Sequence, residues 1–109
     1  MTDNIPEYLT YNGQMYSKEK VKKTIYVANL DRQALLNTAL IEAAFIPFGE
    51  ILSINVSRDS QTNEPIGYVH IEYEEDEDCE HAIFNMNGTE FFGKTLKVSH
   101  AKIKKLGNP

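Results

Sequence analysis

The 109-residue sequence has one cysteine, Cys79, so an internal disulfide is impossible, and the several thiolate or imidazole ligands that a cysteine-based zinc site needs at short spacing are missing. No apolar run approaches the roughly 20 residues of a membrane span. The start, Met1-Thr2-Asp3-Asn4-Ile5-Pro6, has neither the basic nor the apolar segment of a secretory signal, and an intracellular protein is expected. Positive charge is also in short supply. Lys and Arg number 11 against 16 Asp and Glu, giving a formal charge of −5 and a pI near 5.1. That balance is unusual for a protein that grips phosphates. What is present, 41% hydrophobic and 25% charged residues, fits one soluble globular domain; it argues against wholesale disorder, and the length against a two-domain enzyme.

The average charge conceals its distribution. Glu72 to Glu80 reads E-Y-E-E-D-E-D-C-E, seven carboxylates without a base, so the other 100 residues sum to −5 + 7 = +2. Lys18, Lys20, Lys22 and Lys23 precede the first strong apolar segment, while Lys94, Lys97, Lys102, Lys104 and Lys105 fall in the last 16 residues. If the basic groups share a surface away from the acidic run, the molecule is electrostatically two-faced; otherwise the runs serve solubility.

Residues 1–23 are polar and lack sustained periodicity, which predicts a flexible arm carrying Tyr8, Tyr11 and Tyr16. Thr24 to Asn29 alternates and is rich in β-branched and aromatic residues, a first strand with Ile25 and Val27 on one side and Tyr26 and Ala28 on the other. Asn37 stands as N-cap before Thr38–Phe45, where Leu40, Ile41, Ala44 and Phe45 recur at helical spacing until Pro47 and Gly49. Ile51–Ser57 reads as a second strand, Asp59–Pro65 as a hairpin loop and Gly67–Tyr73 as a third strand. On that strand Val69, Ile71 and Tyr73 oppose Tyr68, His70 and Glu72. Cys79, Ala82, Ile83 and Met86 mark a helix from about Glu75 to Met86, its acidic first turns favourable to the helix dipole. Thr95–Ser99 supplies a last strand with Leu96 and Val98 inward. The order βαββαβ predicts an α+β, ferredoxin-like sandwich: a four-stranded antiparallel sheet with two helices on one face. Residues 24–101 form this domain, and 102–109 a basic C-terminal tail.

Many unrelated activities share that architecture, so the outward side chains of the open face decide function. The first and third strands lie side by side at the centre of such a sheet, bringing Tyr26, Tyr68 and His70 to one exposed surface. Exposed rings can stack on bases, at about 1–3 kcal/mol each and with little sequence preference. Lys97 and the lysines after it are placed to meet phosphates.

These residues resemble the RNA-recognition motif family. Ile25-Tyr26-Val27-Ala28-Asn29-Leu30 is similar to its short signature on the first strand, and Ile66 to Tyr73 to its octamer on the third. Phe45 to Ile51, Ala82 to Gly88 and Phe92 to Val98 match further features of the pattern, and the resemblance covers residues 23–102. Ala43 to Gly49 is similar to the RNA-recognition domain of the nuclear cyclophilin E group, whose prolyl isomerase activity is not expected here. The resemblance implies that Tyr26, Tyr68 and His70 hold the three stacking positions. It also marks departures: Ile66 stands where a backbone-contacting Lys or Arg is usual, His70 where Phe or Tyr is, and Val69 where Gly or Ala is. Exposed, His70 would titrate near pH 6.5 and strengthen binding on protonation, with Glu72 beside it.

Single-stranded RNA is therefore the expected partner, through Tyr26, Tyr68, His70, Asn29, Asn55, Arg58, Lys97, Ser99, Lys102 and Lys104, with two to four nucleotides bound. Two other readings stay open. The arm or a partner chain covers the rings, or the domain docks a protein through the sheet or the acidic second helix; Thr89-Glu90-Phe91 lacks the Arg of one peptide-binding subclass. Enzymatic activity is not expected. Arg32 lacks the Gly-rich surroundings of an acylphosphatase loop, and His70, His81 and His100 have no evident nucleophile, since Cys79 faces the core. No metal or cofactor is expected. The chain is expected to be monomeric alone, to serve within a nuclear ribonucleoprotein that processes or splices RNA, with the cytoplasm as the alternative site, and to avoid membranes.

Overall fold

The computed structural model describes residues 8–11 and 14–101. In chain order the elements are β1 (Tyr8–Tyr11), β2 (Gln14–Ser17), α1 (Lys18–Lys22), β3 (Thr24–Ala28), α2 (Arg32–Leu36), α3 (Thr38–Phe45), a 3₁₀ turn (Ile46–Phe48), β4 (Ile51–Arg58), β5 (Pro65–Tyr73), α4 (Asp76–Met86), β6 (Glu90–Phe91), β7 (Lys94–Thr95) and β8 (Lys97–His100). The main sheet has the order β4-β5-β3-β8 with every neighbour antiparallel, and two small hairpins, β1-β2 and β6-β7, stand beside it. This is the ferredoxin-like arrangement, with the first and third strands of the βαββαβ pattern at its centre.

Alternation decides which face is filled. Ile25, Val27, Val69, Ile71 and Tyr73 are fully buried, and they pack with Ala34, Ile41, Phe45, Cys79 and Ala82 from the helices. Val69, larger than the residue usual in the resembled family, is absorbed by this core. The Tyr73 hydroxyl donates to the Phe45 carbonyl at 2.6 Å, tying β5 to the end of α3 where the helix leaves an acceptor unpaired. Burial raises that phenol above its ordinary pKa and pushes the Cys79 thiol up to about 12, as suits a small core residue rather than a nucleophile.

The structure departs from the sequence expectations in several places. The stretch expected as a flexible arm contains the β1-β2 hairpin and α1, and Val21 of α1 is buried. Residues 1–7, 12 and 13 lie outside the described residues, as does the tail from Lys102 to Pro109. One helix expected after Asn37 is preceded by another, α2, whose N-cap is Asp31; its carboxylate accepts from the Gln33 N–H at 2.9 Å. Asn37 makes no side-chain cap, because its φ of −136° belongs to the link between two helices. Thr95, expected to open the last strand, pairs instead with Glu90 of β6, and the last strand begins at Lys97.

α4 is capped at Glu75, whose N–H donates to the Asp78 carboxylate at 3.2 Å. Gly49 is required opposite this cap, since a Cβ there would lie 2.2 Å from Asp78 Cγ and 2.5 Å from its Cβ. Gly49→Ala is expected to push Asp78 off the cap and cost about 1–2 kcal/mol, read as a lower urea midpoint. An unchanged midpoint would show that this packing carries no weight.

Candidate functional site

Strand register assembles the open face in rows. Tyr26 on β3 is paired with His70 on β5 and with Ser99 on β8, while His70 is paired with Asn55 on β4, so Asn55, His70, Tyr26 and Ser99 cross the whole sheet in one line. In the adjoining row Ala28 is flanked by Tyr68 and Lys97. Paired residues point to the same side, and their partners in alternation fill the core, so these seven share the face away from α2, α3 and α4. The small Ala28 leaves space beside Tyr68, and Lys97 and Ser99 are exposed on the edge strand.

Three rings meet at the centre of this face. The centroids of Tyr26 and Tyr68 are 5.0 Å apart with the planes tilted by 47°. His70 lies 5.7 Å from Tyr26 and 5.8 Å from Tyr68, edge-on to the latter. These are favourable separations for aromatic pairs. The tyrosines are half-buried, but His70 is only 2% exposed. The expectation of an exposed, titrating imidazole is thereby corrected. His70 sits mid-strand with Asn55 of β4 and Tyr26 of β3 on its two flanks and the Tyr68 ring along its own strand, and burial lowers its pKa from the ordinary value, which favours the neutral form.

Glu72, expected to act beside His70, is engaged elsewhere: the Ser53 hydroxyl donates to it at 3.2 Å, and Lys20 Nζ approaches it to 3.6 Å. Lys20 was not among the expected site residues; its position in α1 brings it to the end of the sheet, and only the lysine cluster before the first strand signalled it. The basic residues before β3 are in fact divided, because Lys22 faces the carboxylates of α4 instead.

Two expected polar contributors have structural work. Asn29, at a φ of 64° that asparagine tolerates, donates from its amide to the Thr95 carbonyl at 2.8 Å and anchors the β6-β7 hairpin. Arg58 donates to the Asn63 carbonyl at 3.1 Å across the β4-β5 loop, next to the Arg32–Glu64 ion pair at 2.9 Å. Asn55 is half-buried within the ring row. Lys102 and Lys104 lie outside the described residues. Ile66, at the end of β5, is 45% exposed and adds apolar rather than charged surface.

Two π-faces with polar and cationic groups along one edge can accept flat, anionic-backed ligands. Among the described residues no three His, Cys, Asp or Glu side chains group as metal ligands, and no helix is long and apolar enough to cross a membrane.

The family model described as the RNA recognition motif matches residues 25–97. The chain is 31% identical over 92 residues to the U2 snRNP component IST3 of Saccharomyces cerevisiae, covering 84% of this chain and 61% of that protein. It is 30% identical over 83 residues to the cleavage stimulation factor subunit 2 tau variant of Homo sapiens, covering 76% of this chain and 13% of that one. Of solved structures, the Sex-lethal protein/RNA complex superposes with a TM-score of 0.65 at 27% identity, over 79% of this chain and 52% of that chain.

Proposed function

The chain belongs to the RNA recognition motif family, and we propose that it binds single-stranded RNA across the open face of its sheet, stacking bases on Tyr26 and Tyr68. The family is one of non-enzymatic RNA-binding domains. The observation that carries the reading is the pair of half-buried tyrosine rings, 5.0 Å apart, on the face opposite the helices. Rings kept at a surface bring less burial energy than rings in a core, and this pair offers π-faces to an incoming base.

In this reading about two to four nucleotides lie on the sheet. Lys97 and Ser99 meet the backbone at the β8 edge, Asn55 contributes from β4, and His70 is the neutral floor on which the two tyrosines rest. Asn29 and Arg58 hold the loops that frame the face. The unit that binds is residues 24–101 with α1 docked against it, acting as a monomer. The U2 snRNP component and the cleavage-factor subunit support a ribonucleoprotein that processes RNA, with the nucleus as its site.

An amide NMR titration with a pool of short random single-stranded RNAs at two salt concentrations tests the binding. Salt-sensitive shifts centred on Tyr26 and Tyr68 are expected; silence on β3 and β5 would refute it. Lys102, Lys104 and Lys105 are proposed to add phosphate contacts from the tail. Deleting residues 102–109 should therefore flatten the slope of log affinity against log salt by about 2, since each single-strand phosphate contact is worth about 0.7. An unchanged slope would show that the tail is idle.

A further inference from the structure

The helical side of the molecule carries a second surface that RNA binding does not use. In α4 the core-facing side is fixed by Cys79, Ala82, Ile83 and Met86. At 100° per residue this directs Glu77 and Phe84 outward, two turns apart along the helix, with Glu80 and His81 between them. Phe84 is 87% exposed, far more than any other large hydrophobic side chain among the described residues. Folding gains almost nothing from it, and alanine would suit an exposed helix position better.

Beside this stripe, where α4 meets α1 and β8, lies a shallow cleft of about 320 Å³ lined by Lys22, Asp76, Glu77, Glu80 and His100. His100 Nε2 approaches Glu80 Oε2 to 2.9 Å. Glu80 is one turn before Phe84, so the cleft and the ring adjoin on neighbouring helix positions. Three carboxylates face one lysine and an imidazole, an excess that repels phosphate and attracts cations. A second copy of the chain would bring the same acidic face to a two-fold contact, like charge against like.

We propose that this face of α4 docks an arginine-rich segment of a protein partner. One guanidinium lies on the Phe84 ring, as cation–π contacts favour, while the next enters the cleft and takes Glu80 from His100. The face is on the opposite side of the domain from Tyr26 and Tyr68, so protein and RNA are held at once.

The test uses the full chain and a fluorescein-labelled dodecapeptide of alternating Arg and Gly, with Lys-Gly and Glu-Gly peptides for comparison. Saturable binding of the Arg peptide is expected, with amide shifts at Glu77, Glu80, His81, Phe84 and His100 and none at Tyr26 or Tyr68. Phe84→Ala should weaken it by about two- to fivefold, the range for an exposed cation–π contact, and bring the Arg peptide down to the Lys peptide. Glu77→Lys with Glu80→Lys should abolish it, while RNA affinity stays within twofold in both variants. Both changes are on the solvent side of α4, and the amide spectrum reports whether the fold is kept. The proposal is overturned if binding is indifferent to Phe84, which would leave a solvated acidic surface, if the shifts move to the sheet, or if the change at Phe84 alters only self-association.

Discussion

Replacing Tyr26 and Tyr68 together with alanine is expected to lower affinity for short single-stranded RNA at least about 30-fold, because each base stacked on a ring is worth about 1–3 kcal/mol. The two effects should not simply add. The rings are 5.0 Å apart, so either single substitution also frees its neighbour to tilt away from the base, and residues in contact commonly couple by 0.5–3 kcal/mol. Each single variant should therefore lose more than half of what the pair loses. Stability should fall far less than for a core aromatic, as both side chains are only half-buried and the opposite face, with Ile25, Val27, Val69 and Ile71, is untouched. Titrations by fluorescence anisotropy, beside a urea curve for each variant, separate the two quantities. A double variant that folds and keeps its affinity within threefold would end the stacking reading.

Much of this site is legible in the sequence because a strand has a period of two. Ile25 and Val27 against Tyr26, and Val69 and Ile71 against Tyr68 and His70, assign faces without any coordinates, and the element order puts the two strands together. Depth is a different quantity. Alternation says that His70 points to the open side, but its 2% exposure depends on what stands around the imidazole, namely Tyr26 and Tyr68 within 6 Å and the strands on both sides. Hydrogen bonds that redirect a polar group are equally hidden. Asn29 looks like a free amide in the signature, and only the return of the chain at Thr95, 66 residues on, shows where it is spent. The helix after Asn37 is found where the sequence puts it, but α2 before it is missed: Asp31 ahead of Arg32-Gln33-Ala34-Leu35 is an ordinary cap, yet five residues are too few for periodicity to show. α1 has only five residues, too few for periodicity to register, and is held by Val21 in the core and by the Thr24 hydroxyl donating to the Lys20 carbonyl.

The depth of His70 sets the direction of a pH effect. Its pKa is lowered in the folded chain by burial and ordinary, near 6.5, in the unfolded one. Between these two values the unfolded chain binds a proton that the folded chain refuses, so stability should decline as pH drops below about 6.5, by up to about 1.4 kcal/mol per unit, and level off once the folded imidazole is also protonated. Urea unfolding of the wild type and of His70→Phe between pH 4.5 and 8 isolates the contribution, because the acidic residues titrate alike in both and only the difference in slope belongs to His70. Parallel curves would mean that the imidazole is not held neutral by the fold. The same burial predicts that RNA affinity does not rise as pH falls from 7.5 to 6.5, the opposite of what an exposed imidazole beside phosphate would give. A rise present in the wild type and missing in His70→Phe would mean that RNA draws His70 out of the sheet and protonates it, making it a third contact rather than the floor beneath two.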